Sequence, residues 1–411
     1  MTRLSSSNRN EDLNVTQRMK PYYHNGGAAF YQGDARDVLR ALQAASVDAC
    51  VTSPPYWSLR DYGISPSIWG GRRDCRHRWR GIERHAERYT GKRKWQHIGE
   101  EARAAGMKVR DVDGNAWGHP KKTDSAACRC GASQGVLGLE RTPSLYVKHV
   151  VEVFREVRRV LRDDGTLWLN LGDSYAADAA AAGETFADSH GLGVDRVPPV
   201  PPGPPTSIGE PGAPTGLKRK DLAGIPWLVA FALRADGWYL RSDIIWVKTN
   251  AMPESVRDRP TRAHEYLFLL SKREHYWYDR EAIREPQSGS AHARGRGVTP
   301  KSAPAGNGRI RANESFHAAT ARFTQVPGGR NRRTVWTLPT APYREAHFAT
   351  FPPDLVRPCI LAGCRQGGTV IDPFAGSCTT AFVAKQLGRR SIMVDPNAAY
   401  LDMGIRRIIG T

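Results

Sequence analysis

Thr52-Ser53-Pro54-Pro55-Tyr56-Trp57 is the stretch from which the fold of this 411-residue chain is read. It follows the apolar run Val47-Asp48-Ala49-Cys50-Val51, whose length and turn-forming end predict a buried parallel strand. The six residues then stand just beyond a strand's carboxyl end, where open α/β sheets bind ligands. Two consecutive prolines set φ twice and remove two N–H donors, leaving a stiff loop with outward carbonyl acceptors. An isolated Pro-Pro would do no more than close a strand. Here Ser53 adds a hydroxyl, and Tyr56 and Trp57 add two aromatic faces. Rigid acceptors beside a flat apolar surface suit a planar group with an exocyclic NH2, that is, a nucleobase.

A second stretch is Gly368-Thr369-Val370-Ile371-Asp372-Pro373-Phe374-Ala375-Gly376-Ser377-Cys378-Thr379-Thr380. It reads as an apolar strand, a glycine-containing turn and a helix over 380–387, which brings a ligand close to main-chain N–H groups. The next strand, 390–394, ends in Asp395, 19 residues after Gly376. An acid at about that distance accepts hydrogen bonds from ribose hydroxyls. No Gly-x-Gly-x-x-Gly is present, which argues against a dehydrogenase.

Together these motifs resemble the amino-methylating DNA methyltransferases, whose catalytic motif is [Asp/Asn/Ser]-Pro-Pro-[Tyr/Phe/Trp] and whose cofactor motif is Asp-Pro-Phe-x-Gly-Ser-Gly-Thr-Thr. With the catalytic loop first and the cofactor loop last, the order is like the family's beta-type permutation. The resemblance implies a doubly wound, mostly parallel Rossmann-like α/β sheet with an antiparallel edge pair. It implies catalysis by Ser53, Pro54, Pro55 and Tyr56, and S-adenosylmethionine bound by Asp34, Asp372, Phe374, Gly376, Thr379 and Asp395. The serine version of the motif implies N4 of cytosine as target, with Tyr56 stacking on a flipped base; N6 of adenine is the alternative. Cys378 replaces the family's second glycine, and a positive φ there is expected to lower cofactor affinity. Pro358-Cys359 could be read as a cytosine-C5 nucleophile, but Cys359 shares a helical face with Leu355, Val356 and Ile360 and reads as core.

A net charge of +19 and a pI near 9.9 imply a polyanionic partner. Double-stranded DNA is the expectation, with no membrane contact and a cytoplasmic location, because no run approaches the ~20 apolar residues of a spanning helix. A partner restriction endonuclease is compatible with the resemblance. Seven cysteines scattered over a long chain argue against a disulfide framework.

The organisation reads as a mobile tail (1–20), a catalytic half (21–70), a basic insertion (71–139), the continued catalytic domain (140–286) and a cofactor half (334–411). A Pro/Gly/Ala-rich linker spans 176–216 and a basic segment 287–333. The insertion is bracketed by Cys75-Arg76-His77 and Cys128-Arg129-Cys130, so Cys75, His77, Cys128 and Cys130 are candidate ligands of a structural zinc ion. In 287–333 nine basic side chains face the single acid Glu314, which suits phosphate and base contacts. The DNA-contact candidates there are Arg294, Arg296, Arg309, Arg311, Arg330, Arg332 and Arg333, joined by Lys218, Arg219 and Lys220 after the linker. A zinc-containing DNA-binding protein with a degenerate methyltransferase fold is the reading of another class.

Overall fold

The computed structural model describes residues 19–72, 74–79, 127–176, 217–218, 220–286, 330–341 and 351–410. Most of the expected tail and of the linker, with Arg219, Arg294, Arg296, Arg309 and Arg311, lie outside the described residues.

The buried run Val47–Thr52 is strand β3, the centre of the molecule. It pairs in parallel with β10 (Thr369–Asp372) on one side and β6 (Leu161–Leu171) on the other. Outward from β10, in parallel, come β11 (Arg390–Asp395) and β2 (Ala28–Gln32), then the short antiparallel β1 (Tyr23–His24). Beyond β6 lie β8 (His264–Ser271) and β7 (Tyr239–Lys248), antiparallel to their neighbours, and finally β9 (Val335–Leu338), parallel to β7. The antiparallel pair is therefore covered at the rim by β9, which supplies Trp336 to the core.

Helices cover both faces. On one lie α1 (Ala35–Ala41), α2 (Pro143–Val160) and α3 (Ile225–Ala235), and on the other α4 (Pro353–Gly363) and α5 (Thr379–Gln386), with α6 (Ala398–Ile409) over the β2–β11 end. The longest, α2, starts where the Thr142 hydroxyl accepts from Leu145 N at 3.2 Å and Pro143 supplies a preset φ. It buries Tyr146, Val150, Val153, Phe154 and Val157 against the sheet, each contributing roughly 1.5–3 kcal/mol. Asp163-Asp164-Gly165, just past the end of this helix, lies inside β6. Val47 pairs with Leu161 and Ala49 with Thr166, so the acidic residues bulge out of the ladder. Their charges are met by Lys272 and Arg365.

At the start of α5, Cys378 has φ 54° and ψ 37°, so this position does require the left-handed conformation that costs a side-chain-bearing residue about 1–2 kcal/mol. Its thiol is buried against Gly404 of α6. A Cβ on Gly404 would stand 2.5 Å from the Cys378 Cβ and closer still to its Sγ. The two positions are complementary in volume. Gly404→Ala is expected to lower the melting temperature through overpacking of about 1–3 kcal/mol, and Cys378→Gly in the same chain should recover most of that loss. A double-mutant cycle by thermal unfolding checks this; additive effects would refute the pairing.

Candidate active site

Five parallel strands, β2, β11, β10, β3 and β6, end at one sheet edge, and the loops leaving them bring Asp34, Asp395, Asp372, Ser53 and Asp173 to it. Thr52, the last residue of β3, donates from Oγ1 to Asp372 Oδ1 at 2.6 Å, joining the two central loops. The following prolines stiffen the loop, and the Tyr146 hydroxyl fixes it by donating to Pro55 O at 2.8 Å. The Pro54 carbonyl receives no hydrogen bond among the described residues. Trp57 is not the open aromatic face expected. It is 3 % exposed, and its Nε1 donates to Glu140 O at 2.9 Å, so it anchors the loop in the core.

Tyr56 packs its ring edge where Gly172 has no side chain; a Cβ there would lie 2.5 Å from Cε2. Its hydroxyl donates to Glu265 Oε2 at 2.8 Å, with Asn170 Oδ1 3.1 Å away, and Lys248 Nζ pairs with Glu265 Oε1. Burial and then the Glu265 carboxylate push the Tyr56 phenol well above its ordinary pKa, so it stays protonated. Ser53 Oγ donates to Tyr56 Oη at 3.2 Å. The serine hydrogen is thereby committed to Tyr56, which leaves Oγ as an acceptor on the residue preceding Pro54. Asn170, Lys248 and Glu265 were not anticipated from the sequence. The available signal was a polar residue near the edge-side end of an apolar strand, as Asn170 is in 167–171.

Across the switch point, Asp372 is 0 % exposed and accepts from Thr52 Oγ1, Thr380 Oγ1 (2.9 Å) and Phe374 N (3.1 Å). Burial raises its pKa to about 6. Thr379 is likewise buried, its Oγ1 held by Arg407 Nη1 at 3.1 Å. The side chains of Asp372 and Thr379, expected to touch the cofactor, instead face inward and shape the turn. Asp395 is 7 % exposed and accepts one backbone N–H on each oxygen, from Gly376 and Asn397, both at 2.9 Å. Among the described residues, each oxygen keeps a free lone pair. Among the described residues, no atom beyond Gly376 and its chain neighbours lies within 4 Å of where a Gly376 Cβ would stand, so the turn opens onto space beside that carboxylate. Phe374 is half-buried at the rim. Buried carboxylate, open glycine turn and aromatic rim fit a nucleoside-bearing donor.

Asp34 caps α1, accepting from Arg36 N, and pairs with the Arg36 guanidinium at 2.8 Å. Burial pushes its carboxyl up, but the hydrogen bonds and charge of Arg36 outweigh that and hold it below its ordinary value. Of the DNA-contact candidates, Arg330 and Arg333 share Glu285 at 2.7 and 2.6 Å, and Arg332 lies over the Trp336 ring at 4.4 Å. These three thus brace the base of the basic segment, where Glu285 and Arg330 form a β-bridge. Lys218 and Lys220 pair with Asp221 and Asp258 but stay exposed, where such pairs contribute little. Cys359 is buried, its thiol donating to Leu355 O, as expected of a core residue. The sulfur and nitrogen atoms of Cys75, His77, Cys128 and Cys130 come within 4.8 Å of one another. Among the described residues no helix is long and apolar enough to cross a membrane.

An α/β sheet whose central strands end side by side in a buried carboxylate with a glycine turn and in a proline-stiffened Ser-Pro-Pro-Tyr loop has the layout of a group-transfer enzyme. Sequence comparison agrees: residues 47–406 match the DNA methylase family of N6- and N4-directed amino-methyltransferases, and the chain belongs to it. Among its relatives are the type II methyltransferase M.SmaI of Serratia marcescens, 37% identical over 92% of this chain and 89% of that protein, and M.Cfr9I of Citrobacter freundii, 36% identical over 93% and 88%. The solved PvuII DNA methyltransferase (cytosine-N4-specific) aligns with 95% of this chain and 96% of its own at 14% identity and a TM-score of 0.47.

Proposed function

We propose that this DNA methyltransferase moves a methyl group from S-adenosylmethionine to N4 of a cytosine flipped out of double-stranded DNA. The observation that carries this reading is the commitment of the Ser53 hydroxyl hydrogen to Tyr56 Oη, which leaves Oγ to act as an acceptor. The serine in the motif supports cytosine over adenine. A cytosine N4 lone pair is delocalised into the ring and is a poor nucleophile. Ser53 Oγ and the Pro54 carbonyl accept its two N–H hydrogens, which favours a pyramidal nitrogen with its lone pair aimed across the switch point. S-adenosylmethionine, when bound, supplies the electrophilic methyl. Asp395 holds the ribose hydroxyls, Gly376 lets the donor approach the backbone, Phe374 borders it, and Asp34 receives the adenine amine. The proton lost from the methylated amine passes to Ser53 Oγ as the serine proton passes to Tyr56 Oη and on to Glu265 Oε2. Lys248 offsets the charge of that carboxylate. Positioning of this kind supplies ~7–11 kcal/mol of the barrier reduction.

Digesting DNA methylated by the purified enzyme and identifying the modified nucleoside by mass spectrometry tests the target; N6-methyladenine in place of N4-methylcytosine would overturn it. Tyr56→Phe frees the Ser53 hydroxyl to rotate. Turnover is expected to fall about tenfold, the equivalent of one hydrogen bond, while the dissociation constant of the donor stays within about twofold. Single-turnover methylation and titration calorimetry check this, and wild-type turnover in Tyr56→Phe would remove the relay. The type II relatives support a cellular role beside a restriction endonuclease.

A further inference from the structure

We propose that Cys75, His77, Cys128 and Cys130 hold one zinc ion tetrahedrally, and that this metal clamps a hairpin which fixes the catalytic loop. Zinc sits about 2.3 Å from thiolate sulfur and about 2.0–2.1 Å from imidazole nitrogen, so a tetrahedron has edges of roughly 3.8 Å between sulfurs and 3.6 Å between sulfur and nitrogen. Cys75 Sγ and Cys128 Sγ are 3.9 Å apart, and Cys130 Sγ and His77 Nδ1 are 3.3 Å apart. The donors come from two segments 53 residues apart in sequence. A tight turn presents the second pair, with Gly131 N donating to Cys128 O at 2.9 Å and Cys128 N to Ala132 O at 2.8 Å. Only Cys128 of the four is buried, so apolar packing does not explain why they converge.

The hairpin consists of β4 (Ser67–Trp69) and β5 (Ser133–Gly135), which flank the ligands directly. Two strands of this length are marginal without a cross-link. Trp69 is 4 % exposed, held between the Arg36 guanidinium at 3.6 Å and the His149 ring at 4.1 Å, and Arg36 in turn grips Asp34. Leaving β5, the chain runs beneath the catalytic loop. Gly138 O accepts from Ser58 N at 2.7 Å, and Glu140 O accepts from Trp57 Nε1. The Glu140 carboxylate fastens this strap to Gly138 N at 2.8 Å and to His149 Nδ1 at 2.9 Å. The clamped hairpin thus touches the segment next to Ser53 on one side and the Asp34 loop on the other. The positioning half of the proposal rests on the methyl-transfer reading; the metal half does not.

The test uses the full chain purified without chelator. Elemental analysis should return one zinc per chain, and cobalt exchange should give the visible bands of a tetrahedral cobalt thiolate. Both should vanish in Cys75→Ser/Cys130→Ser, with a lower melting temperature and a roughly tenfold fall in kcat at unchanged KM for DNA. Cys130→His should keep the metal and most of the turnover, and zinc added back to chelated wild type should restore kcat. Metal retained by the double variant, or cobalt without tetrahedral bands, would overturn the site. Chelated protein with native melting and kcat would overturn the clamp. If the wild-type chain methylates nothing, the methyl-transfer reading fails on its own, while metal content and melting still decide the site.

Discussion

Ser53→Ala is expected to lower kcat for DNA methylation by about 100- to 1,000-fold, the range found when a reaction loses a prearranged hydrogen-bonding partner. The donor dissociation constant should move by no more than about twofold. The serine oxygen is the one acceptor in the loop whose direction is set by a proton chain, through Tyr56 Oη to Glu265. Without it the substrate amine keeps one hydrogen unpaired and its lone pair in the ring. The Asp395 side of the switch point is untouched by the substitution, so calorimetry should still show binding. Near-wild-type turnover would mean that the amine is oriented by some other group.

Asp395→Ala should weaken binding of S-adenosylmethionine about 100-fold at pH 7, from the loss of two charge-assisted hydrogen bonds to ribose hydroxyls. The wild-type site should also be pH-sensitive. Burial raises the Asp395 pKa to about 6, above the unfolded value of 3.8. The unliganded fold holds this proton more tightly than the unfolded chain does, so the group destabilises the free protein progressively as pH rises from about 4 to about 6, and by a constant amount above that. Ribose hydroxyls solvate the ionised carboxylate, which makes the anion the binding form. The dissociation constant should then rise about tenfold between pH 7 and pH 5. In Asp395→Asn that slope should flatten. A slope that persists in Asp395→Asn would assign it to another group, with Asp372, also near 6, the first to examine.

Much of this architecture was legible in the sequence because its central strands are continuous apolar runs. The strands at 47–52 and 390–395 fall where their apolar runs place them. The runs that escaped are short: β4, β5 and β9 have three or four residues, too few to show alternation. Helix α6 was missed too, although Asn397 caps it through Ala399 N. In the site, Ser53 and Asp395 could be found because each ends an apolar run in a distinctive motif. Lys248 and Glu265 could not, since they reach Tyr56 only after β7 and β8 have been laid beside β6. Likewise nothing local dictates that Trp57 turns inward. That follows from Glu140, which arrives with the strap from the insertion.

The bond between Thr52 and Asp372 joins residues 320 positions apart. At roughly 5–20 residues per second of translation, the acceptor loop waits about 16–64 s for its donor partner to be made. During that interval the β3 edge meant for β10 has no strand to pair with, and the emerging polypeptide cannot modify DNA. A chain stalled anywhere within those 320 positions lacks the loop that Asp372 anchors, and with it one side of the switch point.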